Sequence, residues 1–224
     1  MTTQTQSPTQ TQGLTSQQID KREVIAIIRA IEKRRSFVVW YGDIYDELSK
    51  LIDDDDEFHK IENKLYEDIN DGRIENVYWF RGTCDDSECD IVVVSPRKLL
   101  SDGALTVIEK LTRLYRFKGY DGDRDEREEL TQTIHNLVKM WNSGCTNMSS
   151  PAEAVYMLAR GYGLKIEEEP HLDRWYAGKI YYTVEGLDKR IVKSLWYCND
   201  CVDFSMNNSF IEKCKSWHFE DDED

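Results

Sequence analysis

The sequence predicts an α+β protein, mainly helical, and three observations lead there. Apolar residues recur at helical spacing along most of the chain, as in Val24, Ile27, Ile28 and Ile31. Two short β-rich runs, Ile74 to Arg81 and Asp90 to Ser95, interrupt that pattern, and Pro96 closes the second. Hydrophobic residues make up 40% of the 224 positions, enough to bury a sizeable core, while 43 acidic against 29 basic residues leave a net charge of −14. That balance excludes a uniformly basic domain that holds phosphates by bulk charge.

Residues 1–17 are Thr, Gln and Ser with one Pro and one Gly, a composition that cannot offset its ordering entropy by burial, so a disordered tail is expected. From Asp20 a first helix runs into the basic cluster Lys33, Arg34, Arg35, which suits a helix carboxyl end. After the apolar stretch Phe37 to Tyr41, the residues Ile44, Leu48, Leu51 and Ile52 give a second, short helix. The acidic run Asp53 to Asp56 ends it and can cap a third helix carrying Phe58, Ile61, Leu65 and Ile69, which stops at Asp71-Gly72. The two β-rich runs follow.

Helix, short strand, helix, helix and hairpin within residues 18–98, with Asp71-Gly72-Arg73-Ile74 turning into the hairpin, resemble a winged helix-turn-helix domain. The resemblance is to the order and lengths of elements, and it implies that the third helix would enter a DNA major groove.

Residues 102–145 read as a helical hairpin. Leu105, Ile108, Leu111 and Tyr115 face inward on one helix, and Leu130, Ile134, Leu137, Val138 and Trp141 on the other. Such a hairpin could dimerise the chain or pack onto it. A small α+β region is expected over 146–195. Its helix starts at Ser150-Pro151-Ala152-Glu153, where serine can cap and proline takes the first turn. The alternating aromatic run 174–184 reads as strand or hairpin, and Leu187, Ile191, Val192 and Leu195 suggest a further helix. Residues 219–224 form an acidic tail.

The most specific chemical signal is Cys198-Asn199-Asp200-Cys201 followed, after twelve residues, by Cys214 and His218. Two cysteines three apart can reach one ion from a tight turn, and a Cys and His at i and i+4 share a helix face, so Cys198, Cys201, Cys214 and His218 could hold a structural Zn²⁺. The spacing over residues 196–218 resembles a ββα zinc finger, with Ile211 at an expected core position. It departs in the early Phe204, in Cys214 where histidine is usual, and in the helical pattern running toward Trp196. In that resemblance Asn207, Phe210 and Lys213 fall where a finger faces bases. Cys84 and Cys89 flank the hairpin turn as a disulfide pair, half a metal site or free thiols. Asp121, Asp123 and Asp125 do not make an EF-hand, since Glu126 replaces its glycine.

No phosphate loop, nucleophile elbow or His-Glu-x-x-His is present, and His59, His135, His171 and His218 are scattered, so a non-enzymatic protein is expected. No apolar run approaches the roughly 18–20 residues that span a bilayer. The amino terminus lacks the basic start and apolar segment of a signal peptide, which points to an intracellular protein.

Two functions fit. The first is a DNA-binding transcriptional regulator with a structural zinc site. The second is an acidic protein-interaction module whose partner is basic, such as a transcription or replication factor. Residues 18–100 hold 20 acidic and 13 basic residues, and the third helix, 55–70, holds six acidic against Lys60 and Lys64. Contact with double-stranded DNA would therefore come through Lys33, Arg34 and Arg35, through Lys110, Arg113, Arg116 and Lys118, or through Asn207 and Lys213 of the finger, not through the third helix.

Overall fold

The computed structural model describes residues 18–80, 90–96, 98–99, 102–117, 124–142, 150–174, 177–196 and 214–220. Among these the chain is mixed α+β, with six helices and two antiparallel sheets.

Helix α1 (Lys21–Arg34) starts where Asp20 accepts a hydrogen bond from the Arg22 amide at 2.8 Å and the Glu23 carboxylate accepts from the Asp20 amide at 3.3 Å. These satisfy donors that a helix start leaves open. It ends at Arg35, which turns left-handed at φ 48°. Strand β1 (Val38–Trp40) leads into α2 (Tyr41–Ser49) and then α3 (Asp55–Asn70), which Asp54 caps by accepting from the Glu57 amide at 2.8 Å. Gly72 at φ 68° makes the turn beyond α3. Strands β2 (Val77–Phe80) and β3 (Ile91–Val94) complete a sheet of order β1-β3-β2, with Val38 opposite Val93 and Val77 opposite Val94. The central strand is wholly buried, as its unbroken Ile-Val-Val-Val run requires.

Helices α4 (Asp102–Phe117) and α5 (Arg124–Asn142) pack on each other, and α5 packs on β1. Ala104, Ile108, Leu130, Ile134 and Val138 are buried, and Leu105, Leu111 and Trp141 are partly so; the side chain of Tyr115, also expected to face inward, lies outside the described residues. Helix α6 (Pro151–Gly161) begins as its sequence indicates, with Ser150 Oγ accepting from the Glu153 amide at 3.2 Å.

The remainder is a meander of four strands, β4 (Ile166–Arg174), β5 (Ala177–Val184), β6 (Ile191–Trp196) and β7 (Cys214–Phe219), in that order. Two expectations are corrected here. Leu187 to Leu195 is not a helix: a turn at Gly186 precedes β6, whose Ile191 and Val192 pair with Tyr182 and Tyr181. The segment that begins at Cys214 is likewise strand, paired with β6 so that Trp196 faces Cys214 and Val192 faces His218. Pairing on both sides of β6 outweighs a local apolar spacing that would also suit a helix.

One continuous core joins the two sheets. Helix α1 packs against α6, Arg29 Nε donates to the Gly186 carbonyl at 2.7 Å, and the Lys189 amide donates to Glu32 at 3.1 Å. Tyr156 of α6 lies 4.8 Å from both Tyr182 and Trp217 of the second sheet, ring centre to ring centre. The Tyr162 hydroxyl, just past α6, accepts from the Glu75 amide at 2.6 Å and ties that helix to the approach of β2.

Candidate functional site

The basic cluster at the end of α1 is exposed, but its charge is engaged within the fold. Arg34 makes a two-pronged contact with Asp43, Nε to Oδ2 at 2.7 Å and a terminal nitrogen to Oδ1 at 2.9 Å. Asp43, only 8% exposed, also accepts from the Trp40 amide at 3.2 Å, so this carboxylate caps α2 while Arg34 clips it to α1. Lys33 stands 3.9 Å from the same carboxylate. On α4, Lys110 is exposed and Arg113 pairs with Glu109 one turn away. Arg116 belongs to α4. Lys118, Asn207 and Lys213 lie outside the described residues, as do Cys84, Cys89, Cys198 and Cys201.

Cys214 and His218 both belong to β7. Four residues of strand separate their Cα atoms by about 13 Å, so the shared helix face that would aim both side chains at one ion is not formed. Among the described residues no group of three or more His, Cys, Asp or Glu side chains is placed to hold a metal ion. No helix among them is long and apolar enough to cross a membrane.

Helix α3 has a buried apolar face and an outward face rich in carboxylates. Phe58, Ile61, Leu65, Asp68 and Ile69 face the core, whereas Asp55, Asp56, Glu57, His59, Lys60, Asn63 and Glu67 are exposed. Its second lysine does not balance that face, because Lys64 turns inward. Lys64 Nζ bridges Glu23 Oε1 and Asp68 Oδ2, each at 2.6 Å, and both carboxylates are fully buried. Arg73 reaches the other Asp68 oxygen at 2.7 Å as an ion pair rather than as an aligned hydrogen bond. Burial lifts the Glu23 carboxyl above the usual carboxylate range, Lys64 opposes the rise, and the neighbouring Asp68 adds to it. The cluster fixes α3 to α1 and leaves four carboxylates on the outward face, Asp55, Asp56, Glu57 and Glu67, of which Glu57 pairs with Arg22 at 2.9 Å and Glu67 lies 3.6 Å from Arg73, with Lys60 the exposed lysine of the helix.

Beside that acidic face runs a row of aromatic rings. Trp79 of β2 stacks on Tyr41 at 4.5 Å and meets the Tyr66 ring edge-on at 4.6 Å. Tyr45 of α2 meets Phe58 of α3 at a right angle, 5.0 Å between centres. Tyr45 keeps 38% of its surface in solvent. Burial raises the Tyr41 phenol above its ordinary pKa, and the nearby carboxylates of Glu62 and Asp90 push the same way.

No family model, curated protein or solved structure matches this chain. Its functional reading therefore rests on the chemistry of its own surface.

His135 is the functional-looking residue to which the sequence gives no role. Its Nδ1 accepts from the Phe37 amide at 3.1 Å and lies 3.3 Å from Ser36 Oγ, and its ring sits 4.6 Å from that of Phe37. Burial pulls its pKa down to about 4, with Lys139 adding to the fall, so the imidazole is neutral and acts as the clasp between α5 and β1. The helical spacing that places Ile134 and Val138 in the core also sets His135 at the edge of the buried stripe. That spacing is the sequence signal for it.

Proposed function

We propose that this chain is a winged-helix-like protein-interaction module that binds a basic partner through the outward faces of α2 and α3. The element order α1-β1-α2-α3-β2-β3, with β1 paired to β3, supports the winged-helix reading. In such a domain α3 is the element that docks. Its outward face is the observation that carries the proposal: Asp55, Asp56, Glu57 and Glu67 are exposed against Lys60, with Arg22 reaching Glu57, Arg73 reaching Glu67 and Lys64 turned inward onto buried carboxylates, so the acidic excess centres on Asp55 and Asp56. Duplex DNA brings one phosphate charge per about 1.7 Å of helix axis, which this face repels. A segment rich in arginine or lysine, as found on many transcription and replication factors, is attracted to it.

The second reading is a DNA-binding regulator that contacts phosphate through α4, where Lys110 is exposed, with α3 turned away. A mobility-shift assay on random duplex DNA in about 20 mM salt separates the two, because non-specific affinity rises steeply as salt falls. The interaction module leaves the duplex unshifted at micromolar protein. A shift that Lys110→Ala/Arg113→Ala abolishes would establish the regulator instead.

A further inference from the structure

Two carboxylates lie wholly inside the junction of α1 and α3, and two inward cations do not match them. Glu23 of α1 and Asp68 of α3 are both fully buried, and Lys64 Nζ lies 2.6 Å from an oxygen of each. Since both oxygens meet one nitrogen, the two carboxylates are close neighbours. Arg73 reaches the other Asp68 oxygen at 2.7 Å, but it is partly in water and also faces Glu67 at 3.6 Å and Asp71 at 3.3 Å on the surface. The two oxygens of Glu23 are unequal as well. Oε1 accepts from Lys64 and from the Asp20 amide at 3.3 Å, whereas Oε2 is buried and accepts no hydrogen bond from the described residues. A buried carboxylate oxygen with no donor is costly while it carries charge, and a proton on it removes that cost.

We propose that Glu23 keeps a proton on Oε2 well above the pH at which an exposed glutamate loses its own, and that releasing it to water loosens the junction of α1 and α3. Protonated, the side chain still accepts from Lys64 and the Asp20 amide through Oε1, and Oε2 becomes a donor beside the Asp68 carboxylate. Ionised, it leaves two buried carboxylates repelling each other across one ammonium. The other charged or titratable groups about the cluster are Asp20 on α1, Arg73 beyond α3, and Tyr162 past α6, whose phenol burial pushes up, with Glu75 and Asp68 adding to the rise. Burial is also the first cause that lifts the Glu23 carboxyl above its ordinary 4.5, with Lys64 opposing and Asp68 adding to it. A carboxyl raised in this way stabilises the fold fully below 4.5 and loses that contribution as pH rises through its folded pKa. His135 titrates in the opposite sense, so a variant separates the two where the parent's profile alone does not.

Urea unfolding of the full chain at about pH 5.5 and about pH 8 tests this, with Glu23→Gln as the mimic of the protonated form. The amide keeps an acceptor for Lys64 and puts a donor at the place of Oε2. The difference in urea midpoint between variant and parent should move in favour of Glu23→Gln by about 0.5 M as pH rises. A difference that stays constant, or that moves in favour of the parent, overturns the proposal. Should Glu23→Gln not fold, the Glu23 carboxyl carbon followed by NMR in the parent decides. A titration midpoint more than about one unit above 4.5 is the expected result, and a midpoint at or below that limit overturns it. Neither result depends on what α3 binds.

Discussion

Arg34 belongs by its position in the sequence to an exposed basic patch, and its guanidinium pairs with the buried carboxylate of Asp43. Removing it leaves the Asp43 carboxylate, 8% exposed, without its two charge-assisted bonds. Arg34→Ala should therefore cost about 1–2 kcal/mol, reduced from the fully buried case because the arginine itself is partly in water. Lys33→Ala removes only a 3.9 Å contact from an exposed ammonium and should cost under about 0.5 kcal/mol. Urea unfolding midpoints compare the two, and equal losses would contradict the assignment. His135 makes a second residue-scale prediction, in pH. Its pKa falls from 6.5 to about 4 on folding, so its contribution is complete above pH 6.5 and is lost as pH falls through that window toward 4. The loss should be on the order of 1–3 kcal/mol. An imidazole that titrates near 6.5 in the folded protein, followed by NMR, would show that the clasp is not closed.

Elements were legible in proportion to how local their causes are. The cap at Ser150, and one within the acidic run Asp53 to Asp56 that proves to be Asp54, could be read from the sequence, because each acts within three residues of itself. Strand β6 could not, because Leu187, Ile191, Val192 and Leu195 satisfy a helical spacing and it is pairing with β5 on one side and β7 on the other that makes it strand, and β7 is strand through its pairing with β6. Gly186 marks where that sheet meets α1. It holds φ 79°, and a Cβ placed there would stand 2.7 Å from Ile25 Cγ2. Gly186→Ala should thus cost about 1–3 kcal/mol, combining the backbone penalty with a core clash. Gly72→Ala, at φ 68° with open space around it, should cost about 1 kcal/mol from the backbone alone. Thermal unfolding of the two variants gives the comparison, and a larger loss at Gly72 would contradict the packing of Gly186 on α1. The strand form of β7 also makes a claim about metal. With His218 about 13 Å along a strand from Cys214, His218→Ala should carry the same zinc per chain as the parent by elemental analysis. A drop of one equivalent would mean that the histidine is a ligand and that β7 does not persist as a strand when metal is bound.

The whole molecule carries a charge of −14, and its distribution matters more than its size. An acidic third helix was visible in the sequence as six carboxylates against two lysines. What the sequence could not show is which cations pair with buried carboxylates: Lys64 with Glu23 and Asp68, and Arg34, itself exposed, with Asp43. Those choices depend on helix-to-helix packing, and they leave the acidic excess on the outward face of α3 centred on its amino-terminal residues Asp55 and Asp56. The central claim is that this face takes a basic partner. Chemical-shift mapping of the isotope-labelled chain with nona-arginine in low salt tests it most directly. The account predicts that the largest shifts fall on Tyr45, Asp55, His59, Glu62 and Tyr66 along α2 and α3. Shifts spread evenly over the acidic surface, or absent from α3 altogether, would contradict it.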